Sequence, residues 1–154
     1  MLNEFRGLTA ALAAVAGLAV APAAHAGLGE GVASVARDHA TLHAQVANVV
    51  PMQAYDLHEM TSRDGSRVRE YVTRAGTVFA VTFNTRTMPD LKALLGDRYA
   101  EYVAVTNARR TNHKVFAIST PSLVLQIVKL PRGFSGSAHV PTLLPEGFSS
   151  RDLR

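Results

Sequence analysis

Two acids in this chain have the spacing that acid–base chemistry asks for. If Asp64-Gly65 closes a two-residue hairpin, Glu59 stands directly opposite Glu70. Carboxylates confined on one pleated face repel, so one of them holds its proton into a higher pH range and can serve as a general acid. The same register sets His58 opposite Tyr71, a pair able to relay a proton. His58 and Glu59 are strand neighbours, however, and point to opposite faces, so they cannot act on one substrate. Glu59, Glu70, Tyr71 and His58 are therefore weak catalytic candidates for a small hydrolase or proton-transfer enzyme. The plainer reading outweighs it: the acids splay toward Arg37, Arg67, Arg69 or backbone donors, and His58 is an ordinary sheet residue.

Other chemistries are less complete. His39 and His43 sit four residues apart in a helical pattern, which suits two metal ligands, but the rest of a site is missing and no metal is expected. Gly133-Phe134-Ser135-Gly136-Ser137 falls one glycine short of a nucleophile elbow, and Ser135 with His139 reads as a loop coincidence. Arg63, Arg67, Arg69, Arg74 and Arg86 gather around the expected hairpins. They suit either an acidic partner or a solvated face that blocks aggregation. Arg67, Arg69, Asp56 and His58 are the candidate partner-binding set. Arg109, Arg110 and Lys114 read as a wet connector.

Composition narrows the classes. The chain has 154 residues, no cysteine and no tryptophan. That excludes disulfides, thiol catalysis, cysteine-held metals, covalent haem and a lipidated N-terminal cysteine. No cofactor is expected. The lack of tryptophan argues mildly against a carbohydrate-stacking platform. The first 26 residues have the three parts of a secretory signal: Arg6, the apolar run Leu8 to Val20, and Ala24-His25-Ala26. Cleavage is expected between Ala26 and Gly27, leaving a periplasmic or secreted domain over 27–154. The apolar run falls short of the ~20 residues of a membrane-spanning helix. One acid and one base leave with the leader, so the net charge stays +4. That excess allows weak contact with anionic membrane surfaces but is too sparse for a nucleic-acid binder.

The elements that must position these residues follow from periodicity. Val32 to Val49 repeats its apolar positions at spacings of three and four and predicts an amphipathic helix stopped by Pro51. Tyr55 to Thr61, Arg67 to Thr73 and Thr77 to Asn84 predict a three-stranded meander. One face would carry Tyr55, Leu57, Val68, Val72, Phe79, Val81 and Phe83. The other would carry Asp56, His58, Arg67, Arg69 and Tyr71. Pro89-Asp90-Leu91 predicts a helix start, with Leu91, Leu94 and Leu95 on its apolar side and Gly96 as its stop. Asp97 is expected to cap a second short helix bearing Tyr99, Tyr102 and Val103. Val115 to Ile118 and Leu123 to Leu130 predict two further strands. Residues 131–154 read as an ordered loop or tail wrapping the domain. The fold class expected is α+β, with helices packed on one face of an antiparallel meander.

Four segments support a comparison: Leu57-His58-Glu59, Val68-Arg69-Glu70-Tyr71-Val72, Gly76-Thr77-Val78-Phe79-Ala80-Val81, and Pro89-Asp90-Leu91 with Leu94-Leu95-Gly96. Together they resemble a family of exported proteobacterial proteins, found mainly in Burkholderia-like bacteria, known only as a domain of unknown function. The resemblance runs from Leu28-Gly29 to Leu144-Pro145-Glu146-Gly147. Where that family tends to carry an aromatic-Gly-Pro turn, this chain has Asn84-Thr85-Arg86-Thr87. The resemblance implies location and extent, and no activity. A helix ahead of a meander is also similar to PepSY-type and cystatin-like modules in arrangement alone. The leading expectation is a non-catalytic periplasmic binding or accessory module recognising a protein or envelope component. The alternatives are the Glu59/Glu70/Tyr71 enzyme and a structural role in envelope assembly.

Overall fold

The turn after the second strand sets the register of everything beside it. In the computed structural model the loop is Arg63-Asp64-Gly65, three residues long, with Gly65 at φ +82°. Ser62 N donates to Ser66 O, and Gly65 N donates to Ser62 O. A three-residue hairpin of this kind needs its last residue in the left-handed region, which glycine supplies without strain. The expected two-residue turn is therefore wrong by one position, and a one-residue slip moves a strand's side chains to the other face.

The structure describes residues 27–31, Val35, 44–108 and 114–153. Seven strands form one antiparallel sheet: β1 (Ala44–Pro51), β2 (Tyr55–Ser62), β3 (Arg67–Thr73), β4 (Val78–Thr85), β5 (Val115–Ser119), β6 (Val124–Leu130) and β7 (Gly133–His139). Their order is β1-β2-β3-β4-β7-β6-β5. Two meanders thus meet at β4 and β7. The link between them carries α1 (Leu91–Leu95), a 3₁₀ turn (Gly96–Arg98) and α2 (Tyr99–Ala108). The α+β class and the antiparallel sheet are as expected.

Three expectations are corrected. Residues 44–51 are a strand and not the end of a helix. Val46, Val49 and Val50 are β-branched and pair with β2, and tertiary pairing outweighs a weak helical periodicity. Pro51 is tolerated because β1 is an edge strand. Val35 is helical and buried, while the rest of the expected helix up to residue 43 lies outside the described residues. Secondly, Gly133–His139 is a central strand and not a loop. A Cβ at Gly136 would come within 2.4 Å of Phe83 Cζ and 2.7 Å of the Gln126 carbonyl, so glycine leaves space that the ring of Phe83 fills. Thirdly, Asp97 lies in the 3₁₀ turn, and α2 begins after it at Tyr99.

The core lies under the helices. Met60, Val68, Phe83, Gly136, Ile127 and Phe116 form one row of directly opposed positions across six strands. Leu91, Leu94 and Leu95 of α1 pack on this face, joined by Tyr99, Tyr102 and Val105 of α2. Asp90 caps α1 by accepting from Lys92 N at 2.9 Å and Ala93 N at 3.1 Å, and Gly96 ends it at φ +52°. Glu101 of α2 accepts from Thr120 Oγ1, and from Ser122 Oγ at 2.7 Å, which ties the helix to the β5–β6 turn. Those hydrogen bonds hold its carboxyl below the usual carboxylate range. Leu28 is buried in the same core and donates its N–H to Leu94 O, while Gly27 lies against the backbone of Gly96.

The other face of the sheet has its own cover. An extra residue in β4 opposite β3, Phe79, turns its ring away from the helices. It meets Tyr55, Tyr71 and Phe148, with Phe79 and Phe148 centroids 4.9 Å apart and nearly perpendicular. Leu143, Leu144 and Leu153 complete this second cluster. The C-terminal tail beyond β7 therefore packs over this face of the sheet.

The Asp64 turn yields a prediction. Its carboxylate accepts from Ser66 N, Ser62 Oγ and Ser66 Oγ, and these bonds pull its pKa from 3.8 down to about 2. Folding thus favours the ionised form. The contribution to stability is complete above 3.8, shrinks as pH falls and is gone below about 2. A carboxyl-carbon NMR titration should place the Asp64 midpoint near 2; a midpoint at its ordinary 3.8 would contradict the turn geometry.

Candidate ligand-binding groove

On the face away from the helices, side chains line up in rows because opposed positions on antiparallel strands share a side. One row runs Arg69, Thr82, Ser137, Gln126 from β3 through β4 and β7 to β6. The next runs Arg67, Asn84, Ser135, Val128. Together they line a groove of about 330 Å³, floored by Phe83 and Gly136 and bordered by Leu153 of the tail. Small-molecule sites begin at about this size.

Each end of the groove is built differently. Toward one end lies the aromatic cluster of Tyr55, Tyr71 and Phe79 beneath the tail. His139, next along β7 from Ser137 on this face, is buried there with Nδ1 lacking a hydrogen-bond partner among the described residues. Burial pushes its imidazole below the ordinary histidine range. Toward the other end a smaller hollow of about 250 Å³ is lined by Asp64, Gly65, Asn84, Thr85, Arg86 and Arg132. Arg86 closes it by donating from Nε to the Asp64 carbonyl at 2.6 Å and from its backbone N–H to Ser66 Oγ at 3.1 Å. Asn84 lines both hollows.

The electrostatics are one-sided. Two arginines line the main groove and no acid does. Arg69 Nε donates to Glu59 Oε1 at 2.6 Å, which offsets one of the two charges. The Arg67 side chain is exposed, and its guanidinium has no ion pair or hydrogen bond among the described residues. Arg74 is turned elsewhere, held by Asp56 at 2.7 Å and by the Met52 carbonyl.

The candidate residues separate along these lines. Glu59 is opposite Arg69 and not Glu70. Glu70 lies on the helix-covered face, 2% exposed, opposite His58 and Val81. Tyr71 shares the groove face with Glu59 but belongs to the aromatic cluster, opposite Leu57 and not His58. The register assumed for an acid–base pair is thus corrected, and the two carboxylates stand on opposite sides of the sheet. Arg67 and Arg69 are brought together, whereas Asp56 and His58 face the other way. Burial lowers the His58 pKa, and the Asp56 carboxylate partly offsets that shift. The expected division of the hairpin faces is corrected likewise: Tyr55 and Leu57 share a side with Arg67, Arg69 and Tyr71, while Val68 and Val72 share one with Asp56 and His58.

Ser135 and His139 lie on one strand and one face, four residues and so ~13 Å apart, too far for a nucleophile and its base. His39 and His43 fall outside the described residues. Among the described residues no group of three or more His, Asp or Glu is placed to hold a metal. Thr82, Asn84, Gln126, Ser135 and Ser137 were not anticipated as site residues. Strict alternation of Ser135, Ser137 and His139 was the available signal, hidden by the two glycines of the same segment.

Comparison with known proteins adds one result. No curated protein and no solved structure matches the chain. One family model matches residues 24–153, that of a protein of unknown function, DUF2844. By that match, which spans the sheet, α1, α2 and the tail, the chain belongs to the DUF2844 family.

Proposed function

We propose that this chain is an exported, non-catalytic binding module. In this reading residues 1–26 are removed by cleavage between Ala26 and Gly27, and the domain works in the periplasm or outside the cell. Its groove then recognises a protein or an envelope component. The observation that carries the reading is the groove itself, where hydrogen-bonding side chains from four strands converge beside the exposed guanidinium of Arg67. The placement of Glu59 and Glu70 on opposite faces favours binding over turnover, since a shared substrate cannot reach both. The packing of Gly27 against Gly96, and of Leu28 in the core, favours a leader that ends before residue 27. Cleavage further along would remove buried contacts.

Two measurements test this. Intact-mass analysis of protein recovered from the periplasm or medium should give a chain starting at Gly27; material starting at Met1 would contradict export by cleavage. A photoreactive side chain at Gln126, in the groove, should form an adduct in living cells that Arg67→Glu abolishes while the fold is retained. The same group at Lys129, exposed on the other side of β6, should not form it. Equal adducts from both positions, or an adduct indifferent to Arg67→Glu, would contradict recognition by this groove.

A further inference from the structure

Resting on the binding reading above, we infer that the groove takes an anionic sugar unit, a single ring bearing one carboxylate or phosphate. Three features of the groove lead there.

The first is charge. Arg67 and Arg69 line the groove with no acid among the lining residues, and Glu59 offsets only Arg69. A guanidinium presents parallel N–H donors that match the two oxygens of a carboxylate or phosphate. Arg67 is the group placed to do this. A neutral ligand would leave its charge unused, and a cationic one would be repelled.

The second is the remaining polar lining. Asn84 and Gln126 each carry a donor and an acceptor, and the hydroxyls of Ser135 and Ser137 can do either. Such a set matches a ligand whose own groups both donate and accept around its rim, as the hydroxyls of a sugar do, so the ring is held by charge and hydrogen bonds and not by stacking on tryptophan. The volume of about 330 Å³ suits one ring and not a folded epitope.

The third feature separates a sugar from a peptide bound as an added strand. A peptide of that kind is gripped through an open sheet edge, where backbone N–H and C=O groups are available. The groove lies over β3, β4, β7 and β6, each with a strand on both sides. Backbone groups there are committed to the ladder, so recognition falls to short hydroxyl and amide side chains. Those reach a ring lying on the sheet.

The test is an amide NMR titration of the purified protein with four probes: glucuronate, glucose 6-phosphate, glucose and the dipeptide N-acetyl-alanyl-alanine. Glucuronate or glucose 6-phosphate should shift the amides of Arg67, Asn84, Ser135 and Ser137 in a saturable way. The stronger of the two assigns the charge as carboxylate or phosphate. Glucose should bind at least tenfold more weakly, and Arg67→Gln should weaken the anionic probe at least tenfold while leaving the spectrum folded. Glucose binding as well as the anionic sugars, or the dipeptide, whose free carboxylate makes it an anion without a ring, binding as well as they do, would overturn the inference and leave groove binding intact. If none of the four probes moves a groove amide, the anionic-sugar assignment falls. The in-cell adduct at Gln126 then decides the wider reading separately.

Discussion

The pairing of β4 with β7 is the constraint on which the rest of this structure depends. It runs from Ala80 opposite His139 to Thr85 opposite Phe134, between strands about fifty residues apart in the chain. Every other strand pair is a local hairpin. Without this seam the molecule would be two meanders, each with one unprotected apolar face. With it, Phe83 lies over Gly136, Val81 is opposite Ala138, and one core runs continuously under the helices. Gly136 makes this possible, because a side chain there would collide with the ring of Phe83.

The same seam creates the groove. Thr82 and Asn84 come from one meander, Ser135 and Ser137 from the other, and they are neighbours only because the strands pair. Small side chains on β7 leave a hollow on the side away from the core, and the arginines of β3 stand at its border. Each face is thus occupied to a different degree. Helices cover one face, the tail and its aromatic cluster cover part of the other, and the polar rows stay open between Leu153 and the Asp64 turn. The Asp64 carboxylate orders that turn by accepting from both flanking serines, which holds Arg86 at the groove's outer end.

Much of this was legible in the residues, and the failures have physical causes. The meander over residues 55–85 was readable because β-branched and aromatic residues are bounded by Asp-Gly and Ala-Gly. Asp90 and Gly96 marked the ends of α1. Hairpin register was not readable to one residue, since Asp64-Gly65 fits a two-residue or a three-residue loop equally well by composition. That single slip assigned Tyr71 to the wrong partner and drew Glu70 onto the face of Glu59. The strand β7 was missed because Gly133 and Gly136 carry low strand preference, and the neighbours that require a glycine at 136, Phe83 and the Gln126 carbonyl, lie on other strands. Of the groove lining, Arg67 and Arg69 are the residues that the sequence alone singles out. Thr82, Asn84, Gln126, Ser135 and Ser137 depend on the seam, which no local pattern encodes.

The most direct test of the account is a cross-link across the seam, for which a chain without cysteine is a clean background. Asn84 and Ser135 are directly opposed, within the distance a disulfide spans. Asn84→Cys combined with Ser135→Cys should give, on mild oxidation of the folded protein, an intramolecular disulfide found by mass spectrometry between peptides holding residues 84 and 135. Thiols that stay free in the native protein and link only between molecules would show that β7 does not lie beside β4, and the groove would go with it.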